Sequence, residues 1–226
     1  MINYKIDPDV LTAFLPRGTE LDTFEGDCFV SLVCFQFLNT KIKGLAIPFH
    51  SNFEEVNLRF YVRRKRSEIW ERGVVFIKEL VPKHAIAWVA NVLYNENYQV
   101  AQMKSSVRKN GNAVTFEHIW KLRNTSENRV KVVALGEPKP ASKGTIEEYI
   151  AEHYFGYVKQ RDGSTKEYEV KHSPWRIWHD CHLEMTVDFA KLYGEIFSFL
   201  FAEIPASVFV AEGSPITVHE ATLIRS

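Results

Sequence analysis

The sequence predicts a mainly β (α+β) fold, an antiparallel or mixed β-barrel with a few helices packed against it. Three observations carry this. Short runs rich in β-branched and aromatic residues recur along the chain, such as Cys28 to Phe37 and Phe53 to Val62. Two glycine turns, Lys109-Asn110-Gly111-Asn112 and Asp162-Gly163, sit between such runs as hairpin connections. Helical stretches are few and do not alternate with the strands, which argues against a doubly wound parallel sheet.

Taken in order, Asp7-Pro8 opens a short helix, with Asp7 as N-cap, Pro8 in the first turn and Pro16 as the stop. Leu21 to Gly26 turns into Cys28 to Phe37, which is too aromatic and β-branched for a helix and reads as a buried strand. Cys28 and Cys34 share strand parity, so both point into the same core. Phe53 to Val62 and Gly73 to Leu80 follow as strands. The apolar spacing of Ala85, Trp88, Val89 and Val92 favours a short helix over Trp88 to Tyr94, with a strand as the alternative. Strands over Ala101 to Arg108 and Ala113 to Lys121 flank the Asn-Gly turn. Thr145-Ile146-Glu147-Glu148 has the form of a capping box and opens a helix to about His153. Phe155 to Lys159 and Lys166 to His172 flank the Asp-Gly turn, and Trp175 to Val187 reads as extended. Asp188 to Phe201 has helical spacing through Phe189, Leu192, Ile196, Phe199 and Leu200, with Pro205 beyond its end. Ser207 to Val210 and Pro215 to Leu223 close the chain as strands.

At 226 residues, with no linker or repeat, the chain is read as one domain over 1–226. A chain of this length buries roughly 70% of its unfolded surface and needs no disulfide or metal to hold a core. Lys+Arg and Asp+Glu are both 28, and this zero balance argues against a nucleic-acid or anionic-membrane partner. The one basic run, Arg63-Arg64-Lys65-Arg66, precedes Glu68 and Glu71 and reads as a solvated hairpin end. No secretory segment or membrane-length apolar stretch is found, and three cysteines form an odd count. A reduced, cytoplasmic protein is expected. Oligomeric state is not specified: Phe197, Phe199 and Phe201 suit either a core or a dimer face.

No cofactor is expected, because Gly-x-Gly-x-x-Gly and phosphate loops do not occur. His179-Asp180-Cys181-His182 with Glu184 invites a metal. On a strand, however, His179 and Cys181 face away from His182 and Glu184, so no metal site is expected. Ser214 lacks the strand–turn–helix setting of a hydrolase nucleophile.

The segment from Phe53 to Val62 is the most informative. Its two-residue period puts Val56, Leu58, Phe60 and Val62 on one face and Glu55, Asn57, Arg59 and Tyr61 on the other. That polar face has two readings. It is a wet sheet surface with weak cross-strand pairs, or it lines a binding site for a small polar molecule.

The pattern Phe-x-Glu-x-Asn-x-Arg-x-Tyr-Val in this segment resembles a strand signature of the YqjF-like family of uncharacterised proteins. Matching pieces follow in order: Leu15-Pro16, Leu21-Asp22 and Gly26, Gly73-Val74-Val75-Phe76, Tyr98, Met103, Glu148, Tyr154 and His172-Ser173-Pro174-Trp175. That family is similar to acetoacetate decarboxylases, which implies a closed, mainly β barrel around a polar cavity. The resemblance places Tyr98, in Asn95-Glu96-Asn97-Tyr98-Gln99, where those enzymes carry a Schiff-base lysine. Neither Tyr98 nor Gln99 forms an iminium, so the decarboxylase mechanism does not carry over.

The resemblance also sets Glu55 where a cavity glutamate is expected. The expectation is therefore a small organic acid or carbonyl ligand. Arg59 would hold its anion bidentately, Asn57, Tyr61, Tyr98 and His172 would contribute to binding, and Glu55 is the candidate catalytic acid or base. The alternatives are a lyase, isomerase or hydrolase built on Glu55, and a barrel that is merely structural.

Overall fold

The computed structural model describes residues 1–42, 45–46, 52–83 and 97–224. In chain order the strands are β1 (Ile2–Ile6), β2 (Glu20–Leu21), β3 (Cys28–Phe37), β4 (Lys41–Ile42), β5 (Leu45–Ala46), β6 (Phe53–Arg66) and β7 (Ile69–Val81). They continue as β8 (Tyr98–Val100), β9 (Gln102–Asn110), β10 (Ala113–Lys121), β11 (Asn128–Leu135), β12 (Lys139–Pro140), β13 (Phe155–Lys159) and β14 (Thr165–His172). The last are β15 (Arg176–Trp178), β16 (Cys181–Thr186), β17 (Ser207–Val208), β18 (Val210–Ala211), β19 (Ile216–Val218) and β20 (Thr222–Ile224). Among the described residues three short helices accompany them, α1 (Pro8–Thr12), α2 (Ile146–Ala151) and α3 (Phe189–Tyr193), with a 3₁₀ helix at Glu195–Phe201. The helix expected over Trp88 to Tyr94 lies outside the described residues.

One large sheet runs in the order β17-β1-β3-β6-β7-β13-β14-β19, and a four-stranded sheet runs β16-β11-β10-β9. Most pairs are antiparallel, whereas β7 lies parallel to both β8 and β13, so the large sheet is mixed. The mainly β character expected from the sequence is observed. The closure is not. Among the described residues no pairing joins β17 to β19, and the sheets stay open. The end strands have only two and three residues, too few to carry a ladder round, and β19 is exposed along its length.

The main core lies between the two sheets and under the C-terminal helices. Ile2, Val30, Leu32, Val56, Leu58 and Phe60 come from the large sheet, Trp120, Val130 and Val132 from the other, and Phe189, Leu192, Phe197 and Leu200 from the helices. Each of these side chains contributes roughly 1.5–3 kcal/mol by leaving water. A second cluster covers the other face of the large sheet, where Phe29, Tyr61 and Val74 meet Tyr149 and Ile150 of α2 and Ile177 of β15. At Tyr61, β6 is thereby buried on both sides.

The single helix expected over Asp188 to Phe201 is broken. Gly194 takes φ 110°, a conformation that suits glycine, and ends α3; the chain resumes as the 3₁₀ helix. The expected apolar stripe is only partly buried: Phe189, Leu192 and Leu200 are inside, but Ile196 and Phe199 are exposed beyond the break and Phe197 is buried in their place. The extended run Trp175 to Val187 is likewise divided, with β15 and β16 in different sheets. Within β16, Cys181, Leu183 and Met185 turn inward while His182 and Glu184 turn out, as the strand period requires. No helix among the described residues is long and apolar enough to cross a membrane.

Candidate functional site

β6 and β7 pair antiparallel with one irregularity: Leu58 faces Lys78 but Arg59 faces Phe76, leaving Ile77 as an extra residue on β7. Such a bulge bends and twists a strand and re-aims the side chains beside it. It falls next to Arg59.

The polar face is not a wet surface. Glu55 is 2% exposed, Asn57 1% and Tyr61 1%, and Arg59 is half-buried. Asn57 Nδ2 donates to Glu55 Oε1 at 2.9 Å, and the Tyr98 hydroxyl approaches Glu55 Oε2 at 3.4 Å. Ser31 stands opposite Arg59 on β3, and Asn3 stands opposite Ser31 on β1. Ser31 Oγ donates to Asn3 Oδ1 at 2.6 Å, so its 2.6 Å contact with the Tyr61 hydroxyl is donated by the tyrosine. Asn3 Nδ2 passes on to Ser207 Oγ at 2.8 Å. Four strands therefore hold Tyr61 in place through one buried chain of hydrogen bonds.

Two polar atoms on this face, Arg59 Nε and Asn57 Oδ1, are buried without a hydrogen-bond partner among the described residues. The guanidinium of Arg59 lies 5.7 Å from the centre of the Tyr61 ring. Among the described residues it makes no ion pair. Glu79, 2% exposed, faces Asn57 across the β6–β7 pairing.

Behind Tyr61 lies a second polar group. The His153 ring lies tilted against the Tyr61 ring, with centroids 4.6 Å apart, and its Nε2 is 3.3 Å from Asp22 Oδ2. The same oxygen accepts from Arg72 Nε at 2.6 Å, and Tyr149 donates to the Asp22 carbonyl at 2.9 Å. Burial pushes the Asp22 carboxyl up, but hydrogen bonds from His153 and Arg72 outweigh it and hold the group below the usual range. Burial pushes the His153 imidazole down to about 4, against the pull of Asp22. Neutral His153 thus donates its Nε2–H as a hydrogen bond to the carboxylate, and its buried Nδ1 has no partner among the described residues.

A cleft of about 170 Å³ opens along β7 between its two parallel partners, lined by Phe14, Phe76, Glu79, Asn97, Val158 and Lys159 among others. A second, of about 240 Å³, lies at Arg64, Arg66, Glu167 and Thr222–Ile224. Neither is lined by Glu55, Asn57 or Arg59.

The model of the DUF2071 family, described as an uncharacterized conserved protein, matches residues 1–215. The chain belongs to this family. The uncharacterized protein YqjF of Bacillus subtilis (strain 168) is 29% identical over 179 residues, which span 77% of this chain and 70% of YqjF. The acetoacetate decarboxylase of Legionella pneumophila subsp. pneumophila str. Philadelphia 1 superposes with a TM-score of 0.63 at 16% identity, covering 99% of this chain and 83% of that one. The enduracididine biosynthesis enzyme MppR complexed with pyruvate gives 0.62 at 15% identity, over 98% and 86%. An acetoacetate decarboxylase-like enzyme from Sphingomonas wittichii RW1 gives 0.60 at 12% identity, over 100% and 89%. At these identities the likeness is one of fold. The expected family and the acetoacetate-decarboxylase-like fold are both found.

In this DUF2071 chain the structure brings together Glu55, Asn57, Arg59, Tyr61 and Tyr98 from the residues singled out by sequence. His172 joins a different group. Its ring is stacked between Tyr154 at 4.7 Å and Trp175 at 4.4 Å, and its Nδ1 lies 2.9 Å from the Ser173 carbonyl. Lys78, whose amine burial pushes below its ordinary value, donates to the Leu192 carbonyl in the main core rather than beside Arg59. The basic run is neutralised rather than free, since Arg64 and Arg66 both meet the buried Glu167 and Arg63 meets Glu20. Sequence reasoning missed Asn3, Ser31, Arg72 and His153. Ser31 left a faint signal, a hydroxyl inside an apolar strand; the others become meaningful only once the sheets assemble.

Proposed function

We propose that this DUF2071 chain binds a small organic acid on the polar face of β6, with Arg59 holding the carboxylate. Asn57, Tyr61 and Tyr98 shape the surroundings, and Glu55 stands beside the bound molecule. One observation carries this reading. Arg59 is half-buried with a sealed, unpartnered Nε and no ion pair among the described residues. By contrast, Arg63, Arg64, Arg66, Arg72 and Arg129 each meet a carboxylate. A buried Nε–H with no acceptor is costly, and a ligand carboxylate offsets that cost through charge-assisted hydrogen bonds. The bulge beside Arg59 and the pyruvate complex of MppR, a protein of the same fold, support the reading.

Calorimetric titration of pyruvate, lactate, acetoacetate and 3-hydroxybutyrate into wild type and Arg59→Ala tests it. A charged hydrogen bond of about 1.5–3 kcal/mol corresponds to a loss of roughly 10- to 150-fold in affinity. Unchanged affinity in Arg59→Ala sinks the anchor.

A second reading, acid–base chemistry on the bound acid, is favoured by the burial of the Glu55 carboxylate next to the Tyr98 hydroxyl. Under it Glu55→Gln keeps binding and loses turnover. Full turnover in that variant removes this role.

A further inference from the structure

We infer that the acid held by Arg59 carries a hydroxyl group, so that hydroxy acids rather than the matching oxo acids are the ligand class. The inference rests on the binding reading above and deepens it. The observation is the second orphan of the face, Asn57 Oδ1. Asn57 is 1% exposed and its Nδ2 is committed to Glu55 Oε1. A carboxylate oxygen is an acceptor, so the amide nitrogen must face it and the amide oxygen must turn away. That oxygen is sealed from solvent and accepts from no donor among the described residues.

The two orphans have opposite demands. Arg59 Nε needs an acceptor, and Asn57 Oδ1 needs a donor. Their residues stand two apart on one strand face, with backbone positions roughly 7 Å apart, a spacing that the two ends of a three- or four-carbon acid can serve. Arg59 is the partly exposed member of the pair, so the carboxylate is met first and the rest of the molecule lies towards Asn57. An oxo group offers that oxygen only another acceptor, and leaves it unpaired. An ammonium group would be a donor, but it would place a second positive charge beside the guanidinium. A hydroxyl satisfies the amide oxygen at no such cost. Sites that hydrogen-bond a substrate hydroxyl reject analogues lacking it, because their own buried groups are left unpaired.

The test compares matched pairs, lactate with pyruvate and 3-hydroxybutyrate with acetoacetate, by calorimetry on wild type, Arg59→Ala and Asn57→Leu. Wild type should bind the hydroxy acid of at least one pair about tenfold more tightly than its oxo partner. Asn57→Leu should reduce that ratio to within about twofold. Equal wild-type affinities that fall together in Arg59→Ala overturn the hydroxyl assignment and leave the anchor standing, with water as the partner of Asn57. A preference that survives in Asn57→Leu also overturns it. Absence of binding by all four acids overturns both readings. The wild-type ratio decides the matter on its own should Asn57→Leu fail to fold.

Discussion

Mild acid should destabilise this protein through His153. Burial takes the imidazole from 6.5 to about 4, while the unfolded chain exposes it to water. Between those pH values the unfolded state binds a proton that the native state refuses, so stability rises with pH across the window. The contribution is complete above about pH 6.5, is lost as the pH falls towards 4, and changes no further below that. The gap between the two values corresponds to about 3 kcal/mol at most, with a limiting slope of about 1.4 kcal/mol per pH unit. His118, pushed by burial to about 4, adds a second slope of the same sign in the same window. Asp22 acts elsewhere: its depressed carboxyl gives stability that is present above its unfolded value near 3.8 and lost only below it. Urea unfolding at pH 6.5, 5.5 and 4.5 should therefore show a falling midpoint in wild type and about half that fall in His153→Phe. Parallel pH dependences in the two proteins would refute the buried neutral imidazole.

Three further outcomes follow from the same geometry. Gly73→Ala would set a Cβ 2.6 Å from the Phe155 carbonyl oxygen and the Tyr157 ring, prising β13 from β7. A loss of roughly 1–3 kcal/mol in urea unfolding is expected, since backbone cannot give way as a flexible side chain does. Ser31→Ala strands the Tyr61 hydroxyl and Asn3 Oδ1 and should cost about 1–3 kcal/mol; adding Tyr61→Phe should cost less than its effect alone, as a double-mutant cycle would record. Arg59→Met loses no ion pair among the described residues, so its ligand-free melting temperature should hold or rise while acid binding is lost. A ligand-free destabilisation above about 1 kcal/mol would mark Arg59 as a structural residue.

Local signals were read well where local physics decides them. Asp7 caps α1, Thr145 caps α2, and Ala113 pairs with Asn110 across the expected hairpin. The alternation in β6 assigned Val56, Leu58, Phe60 and Val62 to the core, and all four are buried there. The break at Gly194 was hidden because an apolar stripe has the same spacing whether or not its backbone is continuous. Closure of the barrel, inferred from resemblance, depended on how long the edge strands would be, which no periodicity states.

The candidate site divides along the same line. That Glu55, Asn57, Arg59 and Tyr61 share a face is a property of the strand period, fixed by the order of residues alone. Whether the Tyr61 end of that face is wet depends on α2 and β15, which arrive some 90 and 120 residues later to cover it. The partners are equally remote, since Tyr61 meets Ser31 across 30 positions and Asp22 meets His153 across 131. Burial turns an ordinary arginine and asparagine into orphans, and burial belongs to the assembled layers. The chain by itself determined which side chains stand together; only the tertiary structure decided that they stand out of water, where an unmet hydrogen bond has a cost that a ligand can remove.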